Sequence, residues 1–403
     1  MSDVRADEEP ERKATPPVPL QLNRLNGAAG RAGMDAGGLD EVIASFYELF
    51  GAGGHKGGQL AVWRNGEVVL EASAGRCADG RPVPLDGLAC ILSTTKAVAA
   101  ILVHHLHDQG VFDYDDLVAK HWPEFASNGK DDITVGQVLS HRSGLAPPAM
   151  AGYLDWAEWF RPGGVAALIE AMSPVWAPGS GNGYHAHTYG YVLDELVRRW
   201  TGRSLGQALR DEICRPLGVD VHIGATTVEL ARFLPFWPVT PAGAAAANFT
   251  SPPGAEGHFH NSPAILALSL PWGNGIARAG ALARLMGVYA SRGRLDGREI
   301  FSPSTFERLV TPTNGPDDVD AILTTKARWG LGVHVGVTPG TPATRGMLFG
   351  TTAPMTTCGH MGGNSSLAWA DPEAGVAMSF ISLQSPAVAN YEALSDSVRA
   401  ACR

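Results

Sequence analysis

Apolar residues first recur at helical spacing over Leu39, Val42, Ile43, Phe46, Leu49 and Phe50, a stripe that closes at Gly51. Side chains three and four residues apart share one helical face, so the segment predicts an amphipathic helix. The period then shortens. Residues 59–64 and 67–72 flank Asn65-Gly66, the two-residue loop whose backbone hand matches the twist of paired strands, and the pattern predicts a β-hairpin.

Over residues 92–311 the helical period returns. Val98, Ile101, Leu102 and Leu106 repeat until Gly110, and Tyr189, Val192, Leu193, Leu196 and Trp200 repeat until Gly202. A glycine just past such a stripe is a common helix stop, because it adopts left-handed backbone without a Cβ clash. Residues 241–263, rich in Gly, Ala, Pro and Asn, break the pattern and predict a long surface loop of the kind that borders a substrate cleft. Strand patterns resume over 329–335, 365–370 and 376–382, the last two joined by a turn at 371–375. A closing helix aligns Tyr391, Leu394 and Val398.

Strands at both ends with helices between them imply one sheet split in sequence by a helical insertion, an α/β fold of the α+β kind. Residues 36–91 and 312–403 are expected to form the α/β sheet domain and residues 92–311 a mainly helical domain. Residues 1–35 are polar and rich in Pro, Ala and charge. They are expected to form a disordered leader, since they lack the apolar run of a signal peptide or a membrane span.

Composition narrows the function. Hydrophobic residues make up 45% and charged residues 18%, with a net charge of −9 and no long basic block, which argues against nucleic acid and anionic membrane and for a small-molecule or peptide-like substrate. Cys77, Cys90, Cys214, Cys358 and Cys402 are odd in number and lack CxxC spacing. They read as free thiols of a cytoplasmic protein.

Chemistry concentrates in three places. Ser93 opens the first internal helix and Lys96, three residues on, faces the same side. A serine at a helix start gains from the positive dipole end, and a lysine whose amine loses its proton in a pocket can accept the hydroxyl proton. Residues 176–190 form a glycine-rich loop that delivers Tyr184 ahead of a helix near Thr188, where a phenol beside an amine can pass a proton to a leaving group. His185 and His187 lie in that loop, but no third ligand of suitable spacing completes a metal site. Residues 358–366 precede a strand and place His360 toward the cleft. There an amide such as that of Gly363 can join the Ser93 amide as an oxyanion hole. Trp156, Trp159, Trp176 and Trp272 fit either an apolar pocket or the core.

In this order the three motifs resemble the serine β-lactamase-related family of class C β-lactamases, DD-peptidases, family VIII carboxylesterases and the lovastatin acyltransferase type. Ser93 and Lys96 match its S-x-x-K motif and Tyr184 its tyrosine motif, while His360-Met361-Gly362 stands where lactamases carry K-T-G. Residues 133–145 resemble the I-T-x-x-x-L-L-x-H-x-S-G-L segment, in which His141 and Ser143 take structural roles at a helix end. The resemblance runs from Leu39 to Ala400. It implies a β-lactamase/transpeptidase-like fold, catalysis by Ser93, Lys96 and Tyr184 without metal or organic cofactor, and substrate contacts from Ser93, His360, Gly362 and Gly363.

Two departures favour the esterase branch. Ala186 replaces the amide of a Tyr-x-Asn motif, and His360 replaces the lysine that binds an antibiotic carboxylate. The expected activity is hydrolysis of a small-molecule ester through an acyl-enzyme. Rival readings are an acyltransferase using an acyl thioester or ester donor in secondary metabolism, a β-lactamase or D-aminopeptidase, and a catalytically silent binding protein.

Overall fold

In the structure, a computed structural model describing residues 18–24, 26–51, 54–146, 156–238, 258–336, 349–384 and 391–402, Asn65 and Gly66 hold φ of 47° and 96°. Two positive φ values in succession make the turn that joins strands of right-handed twist. They fold β2 (Gly57–Arg64) back on β3 (Glu67–Gly75). The other strands, in chain order, are β1 (Leu20–Arg24), β4 (Ala89–Cys90), β5 (Val221–His222), β6 (Ile276–Ala277), β7 (Arg294–Leu295), β8 (Arg298–Glu299), β9 (His334–Val335), β10 (Cys358–Gly362), β11 (Ser366–Asp371) and β12 (Val376–Ser382).

Seven of these form one antiparallel sheet in the order β1-β3-β2-β12-β11-β10-β9. The pairing of β2 with β12, with Leu60 opposite Phe380 and Val62 opposite Met378, joins the two ends of the chain at its centre. Successive side chains of a strand face opposite ways. On one face Leu60, Val62, Trp369, Met378 and Phe380 pack with Leu39, Val42 and Phe46 of α2 (Ala36–Glu48) and with Tyr391, Leu394 and Val398 of the closing helix. On the other, Ala61, Trp63, Ala377 and Ile381 share a core with Leu282, Leu285, Met286 and Tyr289 of the helix Ala279–Ala290.

Both faces are thus covered, and β12 is buried along its whole length. Burying a large apolar side chain stabilises by about 1.5–3 kcal/mol, so the two layers account for much of the folding drive. Polar side chains on the sheet meet the helix start: Gln59 Oε1 accepts the Ala279 N–H at 2.9 Å, and Ser379 Oγ donates to the Ala279 carbonyl at 2.6 Å.

Four expectations change. The leader is shorter than residues 1–35: β1 pairs with β3 from Leu20 opposite Ala74 to Arg24 opposite Leu70, and α1 (Asn26–Ala32) follows it. Main-chain pairing holds β1, whose Leu20 and Leu22 are exposed, and α1 buries only small alanines, so neither leaves an apolar period to read. Residues 1–17 lie outside the described residues. Of the strand expected over 329–335 only β9 pairs in the sheet, because Gly332 takes φ of 83° and turns the chain. Residues 358–362, read as a glycine-rich lead into a strand, are themselves β10. The loop expected over 241–263 lies outside the described residues as far as residue 257, and its end instead buries Phe259 and His260 in a short helical turn.

Candidate active site

A small sheet ordered β4-β6-β5 leads the chain to Ser93. After β4 the backbone passes through Leu92 at φ 42° into a 3-10 turn, Leu92–Thr94, ahead of α3 (Thr95–Asp108). Ser93 therefore precedes the α-helix rather than lying in its first turn. A left-handed leucine costs about 1–2 kcal/mol and persists only where its surroundings fix it. Here the Leu92 carbonyl accepts the Thr95 hydroxyl at 2.5 Å, Gly275 donates its N–H to Thr95 Oγ1 at 3.0 Å, and Ile91 donates to the Gly275 carbonyl at 2.8 Å. The turn leaves Ser93 half-buried at the mouth of α3.

Lys96 Nζ lies 3.2 Å from Ser93 Oγ and donates to the Trp272 carbonyl at 2.7 Å. The side chain is fully buried, and burial drives its pKa well below the ordinary 10.5. A neutral amine in this position keeps one N–H on the carbonyl and turns its lone pair to the serine hydroxyl. Tyr189 and Tyr289 hold the start of α3 by donating to the Lys96 and Ala97 carbonyls at 3.2 and 2.7 Å.

Tyr184 comes from a loop fastened at both sides by one residue. The His141 carbonyl accepts the Gly183 N–H at 3.1 Å, and His141 Nδ1 accepts the His185 N–H at 3.1 Å. Burial lowers the His141 pKa well below its ordinary value, which keeps the ring neutral and Nδ1 free to accept. His185 Nε2 in turn meets Ser143 Oγ at 2.8 Å. The Tyr184 ring lies 4.9 Å from Lys96 Nζ and stacks on Trp329 at 5.6 Å with 4° between planes.

Beneath this loop sits Asp320, fully buried. Its Oδ1 accepts main-chain N–H groups of Tyr184, Ile322 and Leu323 at 3.0, 3.0 and 2.8 Å, and its Oδ2 accepts the Trp329 indole at 3.0 Å. A buried carboxylate needs such donors to offset lost hydration. It thereby fixes both the backbone of Tyr184 and the ring stacked on it.

The third wall is β10. Thr94 Oγ1 lies 3.2 Å from the His360 carbonyl and 2.9 Å from Ser366 Oγ, which donates to the Ile91 carbonyl at 2.6 Å. These bonds hold the serine turn against the sheet edge. Gly362 is where the two backbones meet: a Cβ there would lie 2.5 Å from the Ile91 carbonyl oxygen and 2.8 Å from the Ser93 nitrogen. Gly363, at φ 50°, follows on the exposed lip. His360 does not project into open cleft: it is buried, its Nδ1 2.7 Å from the Met361 carbonyl, and its ring lies 6.0 Å from Tyr184 and 4.9 Å from His334.

Ser93, Lys96 and Tyr184 are thus gathered from two distant segments, with His360 and Gly362 beside them. Asp320, Trp329 and the Trp272 carbonyl were not singled out as site groups from sequence. Asp320 sits in an aperiodic stretch, and its Asx-type bonds to residues 322 and 323 are the one local signal that marks it. His187 parts company with His185 and packs edge-on against Trp272 at 4.4 Å. Trp159 and Trp272 are buried and Trp176 is half-buried, whereas the Trp156 side chain lies outside the described residues.

Comparison with known proteins identifies the family. An esterase/β-lactamase of Mycobacterium tuberculosis, LipL, is 29% identical over 84% of this chain and 80% of its own. A penicillin-binding-protein homologue from Caulobacter crescentus superposes with a TM-score of 0.77 at 34% identity, covering 92% of this chain and 99% of the other. A family VIII carboxylesterase superposes with a TM-score of 0.79 at 27% identity, covering 94% and 100%. The β-lactamase family profile matches residues 39–402. This chain belongs to the β-lactamase family.

Proposed function

We propose that the chain is a serine hydrolase acting as a carboxylesterase on small-molecule esters. The observation that carries this reading is the fully buried Lys96 amine 3.2 Å from the half-buried Ser93 hydroxyl. Ser93 Oγ attacks the ester carbonyl while Lys96 takes its proton. The oxyanion forms against the main-chain N–H groups of Ser93 and Gly363. As the tetrahedral intermediate collapses, the C–O bond to the alcohol breaks and the leaving alkoxide takes a proton through Tyr184. Water then attacks the acyl-serine and gives a proton to Lys96, the bond between the acyl carbon and Ser93 Oγ breaks, and Lys96 returns that proton to Ser93 as the acid leaves.

Esters fit better than β-lactams or peptide carboxylates. Ala186 offers no side-chain amide, and His360 is buried against its neighbours rather than extended as a lysine ammonium. The relatives whose names include esterase or carboxylesterase point the same way. Among the described residues no helix is long and apolar enough to cross a membrane. Five free thiols support a reducing compartment such as the cytoplasm.

The test is acylation. Ser93 should be labelled by a fluorophosphonate and should turn over p-nitrophenyl acetate, and Ser93→Ala should do neither. Undiminished labelling of Ser93→Ala ends the proposal.

A further inference from the structure

Rings gather around the indole of Trp272: Trp159 at 5.9 Å, His260 at 6.0 Å and Tyr191 at 6.3 Å between centroids. All four residues are more than nine-tenths buried. Yet the indole nitrogens of Trp159 and Trp272, the Tyr191 hydroxyl and one ring nitrogen of His260 lack a well-formed hydrogen bond among the described residues, the other His260 nitrogen lying toward the Gly273 backbone. Trp272 Nε1 comes near the Tyr191 hydroxyl without reaching hydrogen-bond geometry. Native interiors leave few buried donors unsatisfied, because each forfeits its bonds to water. Two of them, Trp159 and Tyr191, line one cavity and call for a group there that accepts from them.

Space for that group is present. A cavity of about 370 Å³, within the range of small-molecule sites, is lined by Trp159, Val165, Ala166, Tyr191, Leu268 and Leu270. Its polar side carries Ser269 and charges that are already paired, Arg161 with Glu158, Arg198 with Asp194 and Glu195 with Arg199. The cluster also lies near the serine turn. At Gly273 an added Cβ would stand in ordinary van der Waals contact with Leu92 at 3.9 Å and His260 Nε2 at 4.0 Å, so only a methyl-sized gap separates the residue before Ser93 from the imidazole. Trp272 links the two regions, its ring packed on Trp159 and Tyr191 while its carbonyl holds Lys96.

We infer that this cavity is a distal subsite for an uncharged, apolar part of the substrate that carries a hydrogen-bond-accepting oxygen, a ketone or an ether. Indole N–H groups only donate, so the ligand must accept. The apolar lining takes its hydrocarbon body. The inference rests on the esterase reading and names the kind of ester that the site selects.

The experiment compares p-nitrophenyl 6-oxoheptanoate with its isostere 6-methylheptanoate and with the acetate, which is too short to reach the cavity. Binding of 4-phenyl-2-butanone to the full-length chain is titrated in parallel by tryptophan fluorescence. The wild type should prefer the ketone ester. Trp159→Phe and Tyr191→Phe, which keep a ring but drop a donor, should lower kcat/KM for the ketone ester about tenfold and leave acetate turnover within about twofold.

Equal use of ketone and isostere by the wild type, the result if buried waters satisfy the donors, overturns the subsite. So does a parallel loss of acetate turnover in both variants, which would make the two rings structural. If the wild type fails to hydrolyse even the acetate, the esterase reading falls separately and the titration decides the subsite. Saturable binding weakened in both variants supports it, and its absence overturns it.

Discussion

Asp320 accepts the main-chain N–H of Tyr184 at 3.0 Å and, through its second oxygen, the indole of the Trp329 ring that stacks on the same tyrosine. One carboxylate thus sets the position and the orientation of the phenol. Asp320→Ala strands several buried donors and should cost about 3 kcal/mol of stability in urea unfolding. It should also lower esterase activity far less in a Tyr184→Phe background than alone, because both changes then remove the same function. Additive losses would show that Asp320 acts on the fold only.

In the proposed mechanism Tyr184 protonates the leaving group, and Tyr184→Phe removes that phenol. A p-nitrophenolate departs without that proton and an alkoxide does not, so the variant should lose about a hundredfold in kcat on an ethyl ester and much less on a p-nitrophenyl ester. Equal losses on both would place the phenol elsewhere in the reaction.

Lys96 sits buried with its pKa well below 10.5. The unfolded chain binds a proton there at pH values where the native chain does not, so Lys96 lowers native stability as pH falls from about 10.5 through the native pKa, and the penalty is constant below that. Lys96→Met should therefore raise Tm at neutral pH, with a gain that shrinks as pH rises toward about 10.5, while acylation is lost. For the wild type, acylation should rise with pH through the depressed pKa and then level. A Tm gap that is flat across that range would contradict a neutral native amine.

Gly362→Ala would place a methyl 2.8 Å from the Ser93 nitrogen and 2.5 Å from the Ile91 carbonyl oxygen. Backbone cannot yield as a flexible side chain does, so the serine turn must shift. Fluorophosphonate labelling of Ser93 should slow by about a hundredfold, since misplacement by about an ångström costs that much. Unchanged labelling would mean that β10 and the serine turn move independently.

Much of this candidate site is legible in the sequence. The three-residue spacing of Ser93 and Lys96 survives the exchange of an α turn for a 3-10 turn, because either winding keeps the two side chains on one side. Periodicity found α2, the hairpin and the closing helix, where apolar stripes face a core. It missed β1, which is held by main-chain bonds that carry no side-chain pattern. Asp320 was beyond its reach for a different reason: its acceptors gain meaning only when Tyr184, 136 residues away in sequence, is folded onto them.

The hydrogen bond between Thr94 and the His360 carbonyl joins residues 266 positions apart, and the serine turn leans on a sheet edge whose partners are among the last strands of the chain. During synthesis, then, Ser93 is made early but lacks its buttress until β10, β11 and β12 have emerged. Pairings of such sequence separation pay a large loop-closure entropy and form late. A nascent or C-terminally truncated chain should therefore remain chemically inert, so that reactivity itself reports that folding is complete.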